Sequence, residues 1–119
     1  MKTVAEWKAT LRAALKEALR TRNAPASAVL RETLAAIDNA EAPDIRVAPE
    51  PAAGGRIAGS TAGLGSGEVP RLLLAPETVD ALIQREIQER RDAAALYLQL
   101  GKREEARVLQ TQVEVLLAL

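Results

Sequence analysis

Several residue types that carry chemistry are missing from this sequence. It contains no cysteine, no histidine and no phenylalanine, and its only aromatic residues are Trp7 and Tyr97. The lack of cysteine excludes disulfides and thiolate nucleophiles, and the lack of histidine removes the commonest metal ligand and general base. A chain of 119 residues is one domain at most, and a domain of that size buries a modest fraction of its surface. The core is therefore expected to be thin and aliphatic.

No excess of one charge is present either, because 16 basic side chains balance 16 acidic ones. A neutral chain gives no overall signal for binding a polyanion. No stretch is long and apolar enough to span a bilayer. Charged residues also interrupt the N-terminal region, where a signal peptide needs an apolar core. The sequence therefore predicts a soluble, cytoplasmic protein with no membrane partner.

Helical periodicity is the dominant pattern that is present. In residues 76–100, apolar side chains recur at helical spacing between Val79 and Leu98. Pro76 suits the first position of a helix, and Gly101 suits the left-handed residue that ends one. Similar patterns cover residues 4–22, 25–41 and 102–117. These four stretches predict an all-α fold, a small bundle of about four helices that forms a single domain over residues 1–119.

Residues 42–71 interrupt this periodicity and are rich in glycine, proline and alanine. A loop of this length is unusual inside a compact domain unless it is functional or disordered. Gly63, Gly65 and Gly67 alternate, but they lack the Gly-Lys-Ser/Thr ending of a phosphate-binding loop. The composition predicts a flexible insert or linker, with residues 48–67 mobile and dispensable.

A row of basic residues follows the first predicted helix at intervals of four: Lys8, Arg12, Lys16 and Arg20. Up to Asn23 the chain carries six basic and two acidic side chains. The protein is therefore polarised, although its net charge is zero. Two interpretations are open. The row is either a solvated face whose aliphatic stems cover the apolar stripe, or a face for phosphate groups or an acidic partner.

An unusual charge pair, Glu86 and Arg90, falls within the apolar stripe of the third predicted helix. The two residues are four apart, in the favoured order of acid before base. Such a pair is costly in an apolar stripe unless it is hydrogen-bonded. One interpretation is a structural ion pair that fixes how this helix meets its neighbours. The other is that Arg90, with Arg91, contacts an anion.

No catalytic constellation is evident in the sequence. The serine hydroxyls of Ser27, Ser60 and Ser66 have no imidazole to activate them. Most carboxylates are spaced to pair with arginines on a helix surface. The Glu-x-x-His pattern of metal-carboxylate bundles cannot occur without histidine. We therefore expect a protein that is not an enzyme and that needs no cofactor and no metal.

The order of these motifs resembles the GatB/YqeY family. In that family a Leu-Arg pair opens the second helix, a basic segment with a glutamate precedes an aromatic residue, and a Gly-Arg-like turn leads into a helix with a late glutamate. The matching positions here are Leu30, Arg31, Glu86, Arg90, Arg91, Asp92, Tyr97, Gly101, Arg103, Ala106 and Glu114. The resemblance covers most of the chain outside residues 43–67. The family usually has a short connection there, and it continues into a second, smaller helical half that this sequence lacks.

The family includes free-standing proteins of uncertain role. It also includes the tail of the amidotransferase B subunit that makes correctly paired Gln-tRNA and Asn-tRNA, a tail linked to tRNA binding. Nothing here matches the catalytic part of that enzyme. The resemblance implies a non-catalytic accessory domain of tRNA metabolism that binds tRNA or a tRNA-handling protein. The candidate contacts are Lys8, Arg12, Lys16, Arg20, Arg90 and Arg91.

The alternative is a protein–protein interaction module, or a self-associating helical module that forms a homo-oligomer, with no nucleic-acid role. A thin core and an apolar C-terminal sequence favour this alternative.

Overall fold

The computed structural model describes residues 1–43 and 70–119. This part of the chain forms four α-helices and no strand: α1 (Val4–Arg20), α2 (Ala24–Glu41), α3 (Pro76–Gln99) and α4 (Arg103–Leu117). The predicted all-α bundle is confirmed, and each helix boundary lies within two residues of the predicted one. The predicted mobility of residues 48–67 concerns a segment outside the described residues, as does most of the predicted insert, residues 42–71.

A capping box starts α1. The Thr3 hydroxyl accepts the Glu6 backbone N–H at 3.1 Å, and the Glu6 carboxylate accepts the Thr3 backbone N–H at 2.9 Å. These two bonds satisfy backbone donors that a helix N-terminus leaves without partners. The hydrogen bond from the Thr3 backbone is the chief reason that the pKa of Glu6 lies below its ordinary value. The local sequence alone therefore sets where this helix begins.

Two helices end in the same hydrogen-bonded motif. After α3, Gly101 has a φ of 77°, and the Lys102 N–H donates to the Tyr97 carbonyl at 2.8 Å. After α1, Arg22 takes the left-handed position with a φ of 58°, and the Asn23 N–H donates to the Ala18 carbonyl at 2.9 Å. Both are Schellman motifs. The sequence pattern predicted that α1 continues to residue 22, whereas the helix ends at Arg20. The difference arises because an arginine at position 22 does not indicate a left-handed turn.

The core is aliphatic apart from one indole. All four helices contribute buried side chains, namely Trp7, Leu11, Ala18, Ala26, Val29, Leu30, Ile37, Val79, Ile83, Ile87, Val113 and Leu116. Trp7 is the largest of them, and the Lys2 ammonium lies 4.7 Å from its ring centroid. Its indole nitrogen is buried and has no hydrogen-bond partner within residues 1–43 and 70–119. Burial of apolar surface is the main stabilising contribution in such a bundle.

A buried amide joins two helices across the core. Gln112 of α4 is buried, and its Nε2 donates to the Pro25 carbonyl of α2 at 3.1 Å. Thr33 is also buried, and its hydroxyl donates to the Val29 carbonyl one turn earlier at 2.7 Å. Both bonds satisfy polar groups that would be costly to leave unpaired in the core.

The chain divides into two compact units, one formed by Met1–Asn39 with Leu74–Leu119 and the other by Ala40–Leu73. In the second unit, Arg71 Nη1 lies 3.2 Å from a Glu41 carboxylate oxygen. The Leu72 N–H donates to the Glu41 carbonyl at 2.7 Å. Among the helices described, none has the length and apolar character needed to cross a bilayer.

Candidate anion-binding surface

The centre of the basic row on α1 consists of two exposed cations, Arg12 and Lys16. At 100° per residue they lie 40° apart around the helix, whereas Glu6 and Glu17 lie on a separate strip more than 70° from either. Neither cation forms an ion pair with a carboxylate in the described part of the chain. Both charges are therefore available to a partner.

The two ends of the row differ from its centre. Arg20 is exposed, and its Nε donates to a Glu17 carboxylate oxygen at 3.0 Å. This contact raises the pKa of Arg20 and lowers the pKa of the Glu17 carboxyl. Lys8 is half-buried and is not free of partners. Arg12 and Lys16 thus present more available charge than Lys8 and Arg20 do.

A cavity of about 390 Å³ lies at the turn between α1 and α2. Its lining residues are Leu19, Arg22, Ala24, Ser27, Ala28 and Arg31. Neither arginine pairs with a carboxylate among the residues that the structure describes. Leu19 follows Arg12 by seven residues, two turns further along the same face of α1. The cavity therefore continues the row and adds two cations to it.

Arg22 and Arg31 are not among the binding candidates that the sequence pattern predicted. Arg31 lies on the side of α2 away from its apolar stripe, and this position in the sequence pattern already indicates an exposed cation. Arg22 comes within reach of Arg31 only because the chain reverses at the turn after α1. That turn depends on a left-handed arginine, which local sequence does not indicate.

The second predicted cluster is a three-residue ion-pair network. Arg90 Nη1 donates to a Glu86 carboxylate oxygen at 2.8 Å and to the Glu86 carbonyl at 3.0 Å. Arg90 Nη2 donates to Glu32 of α2 at 2.5 Å. The Arg90 and Glu86 side chains are only 11% and 15% exposed, whereas Glu32 is 60% exposed. The network ties α3 to α2.

This geometry favours the structural interpretation of Arg90, because two carboxylates already surround its guanidinium. Contact of Arg90 and Arg91 with an anion stays a prediction. Arg91 itself is exposed. Glu32 was missed by the sequence analysis, because nothing local in α2 indicates which residue faces a helix that begins more than 40 positions later.

The described residues hold no group of three or more metal-ligating side chains that could bind an ion. Ser27 is buried, and its hydroxyl donates to the Asn23 carbonyl at 3.0 Å. Ser60 and Ser66 lie outside the described residues.

The chain was compared with protein families, curated proteins and solved structures, and none of the three comparisons gives a match. The resemblance to the GatB/YqeY family therefore stays a prediction, and so does the function that it implies.

Proposed function

We propose that this chain is a non-catalytic accessory domain that binds the phosphate backbone of tRNA, or a tRNA-handling protein, through the basic surface of α1 and the turn that follows it. One observation carries the proposal: Arg12, Lys16, Arg22 and Arg31 have no ion pair with a carboxylate in the described ranges. The choice of tRNA as the nucleic acid rests on the resemblance of the sequence to the GatB/YqeY family.

The electrostatics support a local contact in a neutral protein. The chain has no net charge, so attraction at long range is weak. Four exposed cations nevertheless suffice for a few phosphate contacts, and each contact releases condensed counterions. We therefore expect weak binding, in the micromolar range or poorer, with a clear dependence on salt.

The test is a titration with tRNA at low and moderate salt. The Arg12→Gln/Lys16→Gln variant should bind more weakly, and its slope of log K against log salt should be shallower by roughly one for each lost contact. Stability should change by less than about 0.5 kcal/mol, because both residues are exposed and unpaired. Fluorescence anisotropy of labelled tRNA measures the binding, and urea denaturation measures the stability.

The matched control is Arg85→Gln/Arg107→Gln, which removes the same charge from exposed positions on α3 and α4. This control should retain the affinity and the salt slope of the wild type. Equal losses in both double variants would indicate nonspecific attraction rather than a contact by α1. A wild-type chain that does not bind at low salt would contradict the RNA proposal.

A second candidate function is protein–protein interaction or self-association without a nucleic-acid role. It is favoured by large apolar side chains that the α3–α4 hairpin exposes, namely Leu96, Leu98, Leu100, Val108 and Leu117. Of these, Leu98 and Leu117 lie on the sides of α3 and α4 that carry Ala95 and Val113, and exposed apolar surface of this kind is typical of a binding site when it is contiguous. Sedimentation of the pure protein without RNA tests its self-associating form.

A further inference from the structure

A groove of about 400 Å³ separates α3 from α4 on the exposed side of their hairpin. Its apolar part is formed by Ala94, Ala95, Leu98 and Val113, and its polar part by Arg91, Gln110 and Glu114. Leu98 is 49% exposed. Leu117, which follows Val113 by four residues, is 55% exposed and extends the apolar character of the α4 side.

The two charged residues of the groove stand on opposite banks. Arg91 belongs to α3 and Glu114 to α4, and the described chain shows neither of them in an ion pair. With a rise of about 1.5 Å per residue, Arg91 lies roughly 12 Å from the C-terminal end of α3, and Glu114 lies roughly 16 Å from the start of α4. Because the helices run antiparallel, the two side chains lie at similar heights along the groove.

We propose that this groove binds the same groove of a second copy of the chain, in a closed dimer with two-fold symmetry. A two-fold axis along the groove places Arg91 of each copy opposite Glu114 of the other. A surface with a cation on one bank, an anion on the other and an apolar floor is complementary to itself, which is what a two-fold interface requires. The apolar floors then cover each other, and the two ion pairs fix the register.

Such a dimer gives the second candidate function a surface and an occupant, and it does not depend on tRNA binding. The charge arrangement selects a second copy over an unrelated partner. A groove meant for an acidic or a basic segment would carry charge of one sign on both banks. Here each bank supplies the charge that the opposite bank of an identical groove needs.

A charge-swap series tests the proposal by sedimentation equilibrium of the full chain, in buffer without RNA, over micromolar to submillimolar concentrations. Wild type should show a reversible monomer–dimer equilibrium. Arg91→Glu alone, or Glu114→Arg alone, places like charges opposite each other in two symmetric pairs. Each should raise the dimer dissociation constant at least tenfold. The double variant Arg91→Glu/Glu114→Arg restores opposite charges and should return to within about threefold of wild type.

The control is the same reversal at Arg85 and Glu89, which are exposed and lie on the far side of α3. Arg85→Glu and Glu89→Arg should leave the dissociation constant unchanged. Leu98→Gln removes apolar contact without reversing a charge and should also weaken the dimer at least tenfold. Circular dichroism at low concentration checks that every variant keeps its helix content.

Three results would overturn the proposal. A wild type that stays monomeric at every concentration would exclude a second copy as the occupant. Species larger than a dimer would exclude a closed two-fold interface. A double variant as weak as the single ones would exclude pairing of Arg91 with Glu114. The tRNA titration has its own readout, so the failure of one proposal is distinguishable from the failure of the other.

Discussion

Arg90 is held in place by contacts with two carboxylates. Its guanidinium contacts Glu86 on its own helix and Glu32 on α2, and its buried Nε has no partner within the described ranges. A largely buried cation of this kind is stabilised only while its carboxylates remain in place. The two carboxylates are not equivalent, because Glu86 is largely buried and Glu32 is mostly exposed. Their removal should therefore have unequal effects.

We predict a graded loss of stability in this network. Arg90→Met leaves Glu86 nearly buried without its cation, and should lower the free energy of unfolding by about 3–5 kcal/mol. Glu86→Leu leaves Arg90 with Glu32 and should cost less than Arg90→Met. Glu32→Gln removes only the exposed partner and should cost less than about 1 kcal/mol. Urea denaturation followed by circular dichroism measures all three.

The double variant Glu86→Leu/Arg90→Met is the decisive comparison. Two apolar side chains of similar volume should be tolerated far better than either uncompensated charge, so the double variant should be more stable than Arg90→Met alone. Small and equal effects from all the variants would mean that the network is solvated and does not join α3 to α2.

At this scale the sequence indicated one of the two ion pairs of the network. The pair Glu86 and Arg90 was visible because both residues fall within an apolar stripe and lie one helix turn apart. Glu32 was not visible, since a contact across 58 positions depends on how two helices pack. Arg22 and Arg31 were missed as binding candidates for a related reason. The turn between α1 and α2, and not helical periodicity, brings them to one cavity.

At the scale of the helix, the boundaries that carry a local chemical signal were the easiest to predict. Thr3, Asn23 and Pro76 act through local chemistry. Asn23 Oδ1, for example, accepts the Ala26 N–H at 3.2 Å, as its residue type suggests. The end of α3 was equally readable, because Gly101 adopts a positive φ without steric cost. The end of α1 was not, since Arg22 occupies the same conformation at a cost of about 1–2 kcal/mol.

The two Schellman motifs have different residues, Arg22 and Gly101, at the same left-handed position, so mutations there can be compared directly. Arg22→Gly should raise the free energy of unfolding by about 0.5–1 kcal/mol, since relief of strain exceeds the entropic cost of a glycine. Gly101→Ala should lower it by about 1–2 kcal/mol. A Cβ added at Gly101 meets no atom within 4 Å, so any loss reports backbone strain and not a clash. Urea denaturation measures both effects.

Arg22→Asn separates conformation from charge in this experiment. Asparagine tolerates the left-handed region better than arginine does, and it lacks the charge. Arg22→Asn should therefore gain part of the stability that Arg22→Gly gains. Both variants should bind tRNA more weakly than wild type, because both lose the charge of Arg22. If Arg22→Gly destabilised the protein instead, the arginine side chain would be making a stabilising contact that outweighs its strain.

At the scale of the whole molecule, the residue types that are missing limit the core. With no phenylalanine and one tryptophan, the bundle depends on leucine, isoleucine and valine, and the largest fully buried side chains are Leu11, Leu30, Ile37, Ile83 and Ile87. Several leucines of α3 and α4 are nevertheless exposed. The fold class followed from helical periodicity alone. The exposed groove could not be predicted in the same way. Periodicity predicts an apolar face for each helix, but it does not predict that Leu98 and Leu117 stay uncovered in the bundle.

A small aliphatic bundle that pairs with itself should show concentration-dependent thermal stability, because association favours the folded state by mass action. Once the dimer dominates, each tenfold rise in concentration contributes about 1.4 kcal/mol per dimer, or about 0.7 kcal/mol per chain. For a domain of this size that corresponds to a rise in Tm of roughly 2–4 °C. Arg91→Glu should shift this dependence to concentrations at least tenfold higher, and Arg91→Glu/Glu114→Arg should restore the wild-type behaviour, whereas Arg12→Gln/Lys16→Gln should leave it intact. Thermal unfolding followed by circular dichroism across three decades of concentration measures this directly. A Tm that does not change for wild type would mean that the folded monomer is stable without covering its groove, and that the exposed leucines serve some other contact.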